Sequence, residues 1–253
     1  MVQPGPDEAL LAWMAAGGMA LATLAFAATG RREGDPRRRE FYVLASFATA
    51  ASFLGYVALA TGFGVVEVAV AGERVAVHWG RFAGWLVALP SLLIALALLA
   101  RADRATVGAL VGLAVATVAA GLAAALATGG TAGRVGWWLV SATFWVALVA
   151  GLVGGLTRQA SRRPDPVAAR FAWLRNLVAA AWTVSLVVWI LGPASTVGVL
   201  GPTVRTGLAA AVDLVATISF GLVLLRDRSV LDLAVRSRGA HDAAAAGEAA
   251  TAE

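Results

Sequence analysis

Few side chains within the apolar stretches of this sequence could do chemistry. Asp213 is the only carboxylate deep inside any of them, and Arg81 lies about one turn inside another. An acid and a guanidinium on facing helices could form a counter-ion network around an internal cavity, since ionisable groups inside a membrane are costly and are functional candidates by default. They could equally be a structural ion pair that fixes one helix against another. Aromatic rings form a second constellation. Trp182 and Trp189 are seven residues apart and so share a helix face, while Trp85, Trp138 and Tyr56 lie at depths that could meet them. Converging rings suit a flat hydrophobic ligand, and they suit plain packing as well. Trp13, Trp79 and Trp173, nearer the ends of apolar stretches, read as interfacial anchors.

Other chemistries are poorly supplied. There is no cysteine, hence no disulfide, no thiolate nucleophile and no thiolate metal site. His78 and His241 are the only histidines and read as solvated residues. No nucleophile–base pair or metal cluster is apparent, so neither an enzyme nor a metal protein is expected. All 20 positive side chains are arginine, and the chain contains no lysine.

The elements that would position these residues are membrane spans. The chain of 253 residues is 60% hydrophobic and 14% charged, against about 25% charge in soluble domains. Its apolar residues come in blocks close to the ~20 needed to cross a bilayer. Seven spans are expected, over about Glu8–Thr29, Glu40–Thr61, Trp79–Ala100, Ala105–Thr128, Val135–Thr157, Val167–Gly192 and Pro202–Arg226. Between the second and third, Val65–Val70 and Arg74–His78 alternate with period two around Ala71-Gly72-Glu73, which predicts a β-hairpin on one membrane face. The stretch 1–238 reads as one seven-helix transmembrane domain, and 239–253 as a small, polar, disordered tail.

Arginine placement predicts orientation. Arg31, Arg32, Arg37, Arg38, Arg39, Arg101, Arg104, Arg158, Arg162, Arg163, Arg170, Arg226, Arg228, Arg236 and Arg238 fall on one side, and only Arg74, Arg134 and Arg205 on the other. By the positive-inside rule the N-terminus is outside and the C-terminus cytoplasmic, in a multi-pass plasma-membrane protein. The net charge of +5 reflects this topology rather than nucleic-acid binding, because no basic groove with interleaved aromatics accompanies it. Asp7 and Glu8 stand where a signal peptide would carry basic residues, so the first block reads as a retained helix. Small residues recur every four positions at Gly108, Gly112, Ala116, Ala120 and Ala124, and at Ala147, Gly151 and Gly155, which lets helices pack closely within the bundle or between protomers.

These same residues resemble the microbial (archaeal-type) rhodopsins, nearest in pattern to the haloarchaeal sensory rhodopsins. The third span reads WGRFAGWLVALP, with Arg81, Trp85 and Pro90 at the family's spacing. The sixth reads RNLVAAAWTVSLVVWILGP, with Trp182 and Trp189 where the family sandwiches retinal, and the seventh reads VDLVATISFGLVLL, with Asp213 at the helix counter-ion position. The resemblance implies an all-α membrane protein, a seven-transmembrane-helix bundle with a short β-hairpin. It also implies a ligand pocket built from Tyr56, Trp85, Trp138, Trp182, Ser185, Trp189 and Thr217.

The departures from the family matter as much. The retinal-bearing lysine lies four residues after the aspartate, and that position is Thr217; the primary proton acceptor, the threonine one turn later and the proton donor of pumps correspond to Gly84, Ala88 and Ala95. The polar relay of sensory members is replaced by Ala211, Ala216, Ser185 and Leu186. A threonine cannot form an imine and an arginine guanidinium stays protonated. The expectation is therefore an opsin-like protein with no covalent cofactor and no light-driven proton pumping. Retinal, a carotenoid or a lipid would be held non-covalently in the aromatic pocket. The alternatives are an empty scaffold that regulates a membrane protein partner, or at lower rank passive anion transport; a monomer and a homotrimer of the kind common in the family are both left open by the sequence.

Overall fold

The computed structural model describes residues 4–70, 73–192 and 198–236. Seven helices long and apolar enough to span a membrane occur among them: α1 (Pro6–Arg31), α2 (Pro36–Thr61), α3 (Trp79–Ala100), α4 (Arg104–Leu126), α5 (Gly130–Ala160), α6 (Asp165–Leu191) and α7 (Pro202–Leu225). A short helix over residues 228–236 follows. The architecture is the expected seven-helix bundle with its hairpin. The tail expected beyond Arg238, with His241, lies outside the described residues, as do Ala71 and Gly72 of the hairpin turn.

A helix satisfies its own backbone in lipid, so hydropathy sets where the spans lie and caps set where they stop. Pro6, Pro36 and Pro202 open α1, α2 and α7 at the position where a missing N–H costs nothing. Asp35 accepts from the Arg37 backbone N–H at 2.8 Å and starts α2 four residues earlier than Glu40. Asp103 caps α4 through the N–H and hydroxyl of Thr106, which hold its carboxyl below the usual range. Gly62, at φ 70°, closes α2. The stretch 130–134, left between the expected fourth and fifth spans, forms the first turn of α5. Near its other end α5 contains a π-helical turn, Leu152–Leu156, where the Thr157 hydroxyl bonds back to the Leu152 carbonyl at 2.7 Å.

Strands β1 (Val65–Val70) and β2 (Glu73–His78) pair antiparallel in the register Val65↔His78 to Val70↔Glu73. Helix α3 runs through the centre. Of its most apolar window 67% is buried, against 17% for α6, which lies at the periphery. Leu89, Leu96 and Leu99 of α3 are wholly enclosed. At the other extreme Leu21, Leu24, Leu54 and Val146 are exposed on the outer surface, as a bundle solvated by lipid requires. Trp13, Trp79 and Trp173 also face outward. The small-residue ridge of α4 is split: Ala120 and Ala124 are buried, whereas Gly108 and Gly112 face open space.

Arginines tie the ends of the bundle. Arg170 donates to the Val223 and Leu224 carbonyls at the C-terminus of α7, and Arg163 to the Ala234 carbonyl. Arg38 pairs with Asp232 and with Glu33. At the opposite end Arg134 is fully buried and donates to the Ala125 and Ala127 carbonyls, completing the last turn of α4.

Candidate functional site

Asp213 sits halfway along α7, and Arg81 enters from the first turn of α3. Burial leaves both with one economical solution, each other, and Arg81 Nη2 lies 3.0 Å from Asp213 Oδ2. The same oxygen accepts from the Tyr56 hydroxyl at 2.6 Å and from Trp85 Nε1 at 3.4 Å. The guanidinium also lies over two ring faces, 4.8 Å from the Trp85 centroid and 5.3 Å from that of Tyr56. The carboxylate thus receives three donors and the cation two π-faces, so neither charge is left bare.

Tyr56 was expected among the ligand-pocket residues, and the structure assigns it to the ion pair instead. A buried phenol needs a hydrogen-bond partner, and Asp213 is within reach across the α2–α7 contact. Thr217, one turn beyond Asp213, is buried on α7 and does not line the aromatic cavity. That cavity is lined by Trp85, Trp138, Trp182, Ser185 and Trp189, all expected, together with Phe82, Ser141 and Leu186. Its volume is about 40 Å³. The rings stand against one another, Trp85 to Trp182 at 5.5 Å and Phe82 to Trp85 at 5.2 Å between centroids.

Trp145 was not anticipated. It is buried beside Trp182 at 6.1 Å and donates its indole N–H to Thr183 at 3.1 Å. Trp138 likewise donates to the Leu186 carbonyl at 3.3 Å. These two α5 tryptophans bridge to α6 and occupy the space between them. Their spacing of seven residues, the spacing that pairs Trp182 with Trp189, was the available signal.

The other substituted positions are explained by packing. Gly84 lies against α2, where an added Cβ would stand 2.7 Å from the Ala51 carbonyl oxygen. Gly80, one turn before, would bring a Cβ to 2.8 Å from that of Ala58. The pair forms a glycine contact line between α2 and α3. Ala88 and Ala95 are buried in the core of α3. A larger groove, about 440 Å³, runs along the outer surface of this α2–α3 contact between Leu54, Phe63, Trp79 and Val87. His78, expected to be solvated, is partly buried; burial, reinforced by Arg205 and Arg81, lowers its pKa to about 4.

Fold and site together define a multi-pass membrane protein of seven helices around a buried arginine–aspartate pair and a tryptophan cluster. The family described as bacteriorhodopsin-like protein matches residues 7–231, and the chain belongs to this microbial rhodopsin family. It is 43% identical over 229 residues to a bacteriorhodopsin from Haloterrigena sp. (strain arg-4), covering 90% of each chain. It is 39% identical over 243 residues to cruxrhodopsin-3 from Haloarcula vallismortis, covering 94% of this chain and 97% of that one. Among solved structures it matches thermophilic rhodopsin from Rubrobacter xylanophilus with TM-score 0.83 and 31% identity, over 90% of this chain and 98% of that one. It matches a halorhodopsin variant in its ground state with TM-score 0.85 and 26% identity, over 93% and 100%. The expected family and fold are thereby borne out.

Proposed function

We propose that this chain is an opsin-fold membrane protein that forms no retinal Schiff base and pumps no protons in light. The observation that carries the reading is Thr217, buried one turn beyond Asp213 in a chain without a single lysine. A hydroxyl forms no imine, and a guanidinium is too basic to do so. Proton translocation needs carboxylates with tuned pKa values in series, whereas Gly84, Ala88 and Ala95 offer none and Asp213 is engaged by Arg81, Tyr56 and Trp85. The residues present do not fit covalently held retinal.

Within this reading an opsin-like scaffold without an internal ligand is the function the geometry supports best. Small-molecule sites usually measure about 300–1,000 Å³, and the cavity of about 40 Å³ between Trp85 and Trp182 is closed by the protein's own rings. The scaffold would act on a membrane partner or on copies of itself. Its arginine-rich end, assigned to the cytoplasm with the N-terminus outside, and the open Gly108 and Gly112 on α4 are its contact surfaces. The second reading is non-covalent binding of retinal, a carotenoid or a lipid. It is favoured by the tryptophan-lined walls and requires Trp182 or Trp145 to turn aside.

Purified protein mixed with all-trans retinal, then treated with borohydride, tests the main reading. The expected outcome is no red-shifted pigment, no retinal trapped on the chain, and no light-dependent pH change in vesicles. A red-shifted band with trapped retinal overturns it. A saturable free-aldehyde spectrum accompanied by thermal stabilisation selects the binder over the scaffold.

A further inference from the structure

A groove of about 170 Å³ lies between the last turn of α1 and the first turns of α2, at the arginine-rich end of the bundle. Arg31 and Arg39 line it together with Ala27, Tyr42, Val43 and Phe47. Helix α1 has 26 residues, about 39 Å at 1.5 Å per residue, against a hydrocarbon core of ~30 Å. Arg31 is its last residue and Arg39 stands in the first turn of α2, so both guanidiniums lie at the level of lipid headgroups. Val43 and Phe47 follow Arg39 at intervals of four, on one face of α2 running into the hydrocarbon, and both are exposed. Ala27 and Arg31 repeat that spacing on α1. The groove is therefore cationic at its headgroup end and apolar below.

Its charge is uncompensated. Neither Arg31 nor Arg39 forms a salt bridge among the described residues. Glu33 and Asp35, the acids of the α1–α2 connection, pair with Arg38, and Glu40 does not line the groove. The Ser46 hydroxyl is spent on the Tyr42 carbonyl at 2.7 Å, which leaves the arginines as the donors. Close packing keeps the two arginine-bearing helix ends together, since a Cβ at Gly30 would lie 2.7 Å from that of Tyr42.

We propose that this groove binds one anionic phospholipid, its headgroup phosphate between Arg31 and Arg39 and the start of a chain against Val43 and Phe47. A guanidinium meets a phosphate bidentately, and basic residues at a membrane face attract anionic lipid. A soluble anion would leave the apolar half of the groove unused. A zwitterionic lipid would bring a further cation to two that are already unpaired. The site does not depend on whether the bundle holds a ligand, and its test involves no retinal.

The full chain in detergent is titrated with dioleoylphosphatidylglycerol, with dioleoylphosphatidylcholine and with inorganic phosphate, and native mass spectrometry counts the lipid retained while thermal melts follow stability. Phosphatidylglycerol should bind saturably at one molecule per chain and raise the melting temperature, and phosphatidylcholine should bind about tenfold more weakly. Inorganic phosphate should do neither. Arg31→Gln/Arg39→Gln should weaken phosphatidylglycerol about tenfold, whereas Arg32→Gln/Arg104→Gln, which removes the same charge from exposed positions at this end, should change it less than about twofold. Equal binding of the two lipids, or equal losses in the two double variants, overturns the proposal. Stabilisation by inorganic phosphate that matches the lipid overturns it in favour of a soluble anion. If Arg31→Gln/Arg39→Gln does not fold, Arg39→Gln alone decides by the same comparison.

Discussion

Replacing Gly84 separates packing from charge at the position where the resemblance places a proton acceptor. The Cβ of Gly84→Ala would sit 2.7 Å from the Ala51 carbonyl oxygen, 3.5 Å from its carbonyl carbon and 3.6 Å from Gly55 Cα. The obstacle is backbone, which cannot rotate away as a side-chain tip would, so α2 and α3 must part by several tenths of an ångström. Overpacking of this kind costs about 1–3 kcal/mol. For a chain of this length that lowers the melting temperature by about 2–4 °C per kcal/mol. Gly84→Asp adds a second buried acid beside an arginine already paired with Asp213, at several kcal/mol more. Circular dichroism melts of both variants in one detergent measure the two effects. The reasoning fails if Gly84→Ala melts with the wild type, or if Gly84→Asp is no worse than Gly84→Ala.

Three further outcomes are expected. Asp213→Asn leaves Arg81 uncompensated and should cost about 3–5 kcal/mol, while the double variant Arg81→Met/Asp213→Asn should recover most of the loss; a thermal double-mutant cycle shows whether the two effects couple. Trp145→Ala should destabilise by about 3–5 kcal/mol yet take up at least tenfold more free retinal than wild type by absorbance. His78 titrates near 4 when folded and near 6.5 in the unfolded chain. Between those values the unfolded state binds more protons, so the His78 contribution rises with pH across this window and is lost as pH falls. The melting temperatures of wild type and His78→Asn should therefore diverge below about pH 6.5, and parallel curves would refute the assignment.

The spans were legible because hydropathy alone decides them; their ends were not, because Pro36, Asp35 and Asp103 extend helices past the apolar blocks. The Arg81–Asp213 pair was legible from scarcity, as no other carboxylate lay within reach of the bundle centre. Other features were hidden by reading residues one at a time. Arg205 was counted only as a charge on the outer side, yet it lines a cavity at the start of α7. Gly84 read as a missing acid, and only the neighbouring helix reveals it as a contact. Trp145 shares its face with Trp138, but whether such a ring lines a pocket or fills it depends on the distance to α6, which no sequence spacing contains.

The arginine ties at the ends of α6 and α7 bear on how the protein is made. Arg38, on the second helix to leave the ribosome, finds Asp232 only after the seventh helix is complete, and Arg163 waits for the Ala234 carbonyl. Arg170 likewise has no α7 carbonyl to hold until Val223 and Leu224 have been synthesised. A nascent chain with six helices inserted therefore lacks these acceptors at this end, and Asp213 is not yet there for Arg81. The last helix brings both the central acid and the terminal acceptors, so these ties close as a final step of synthesis.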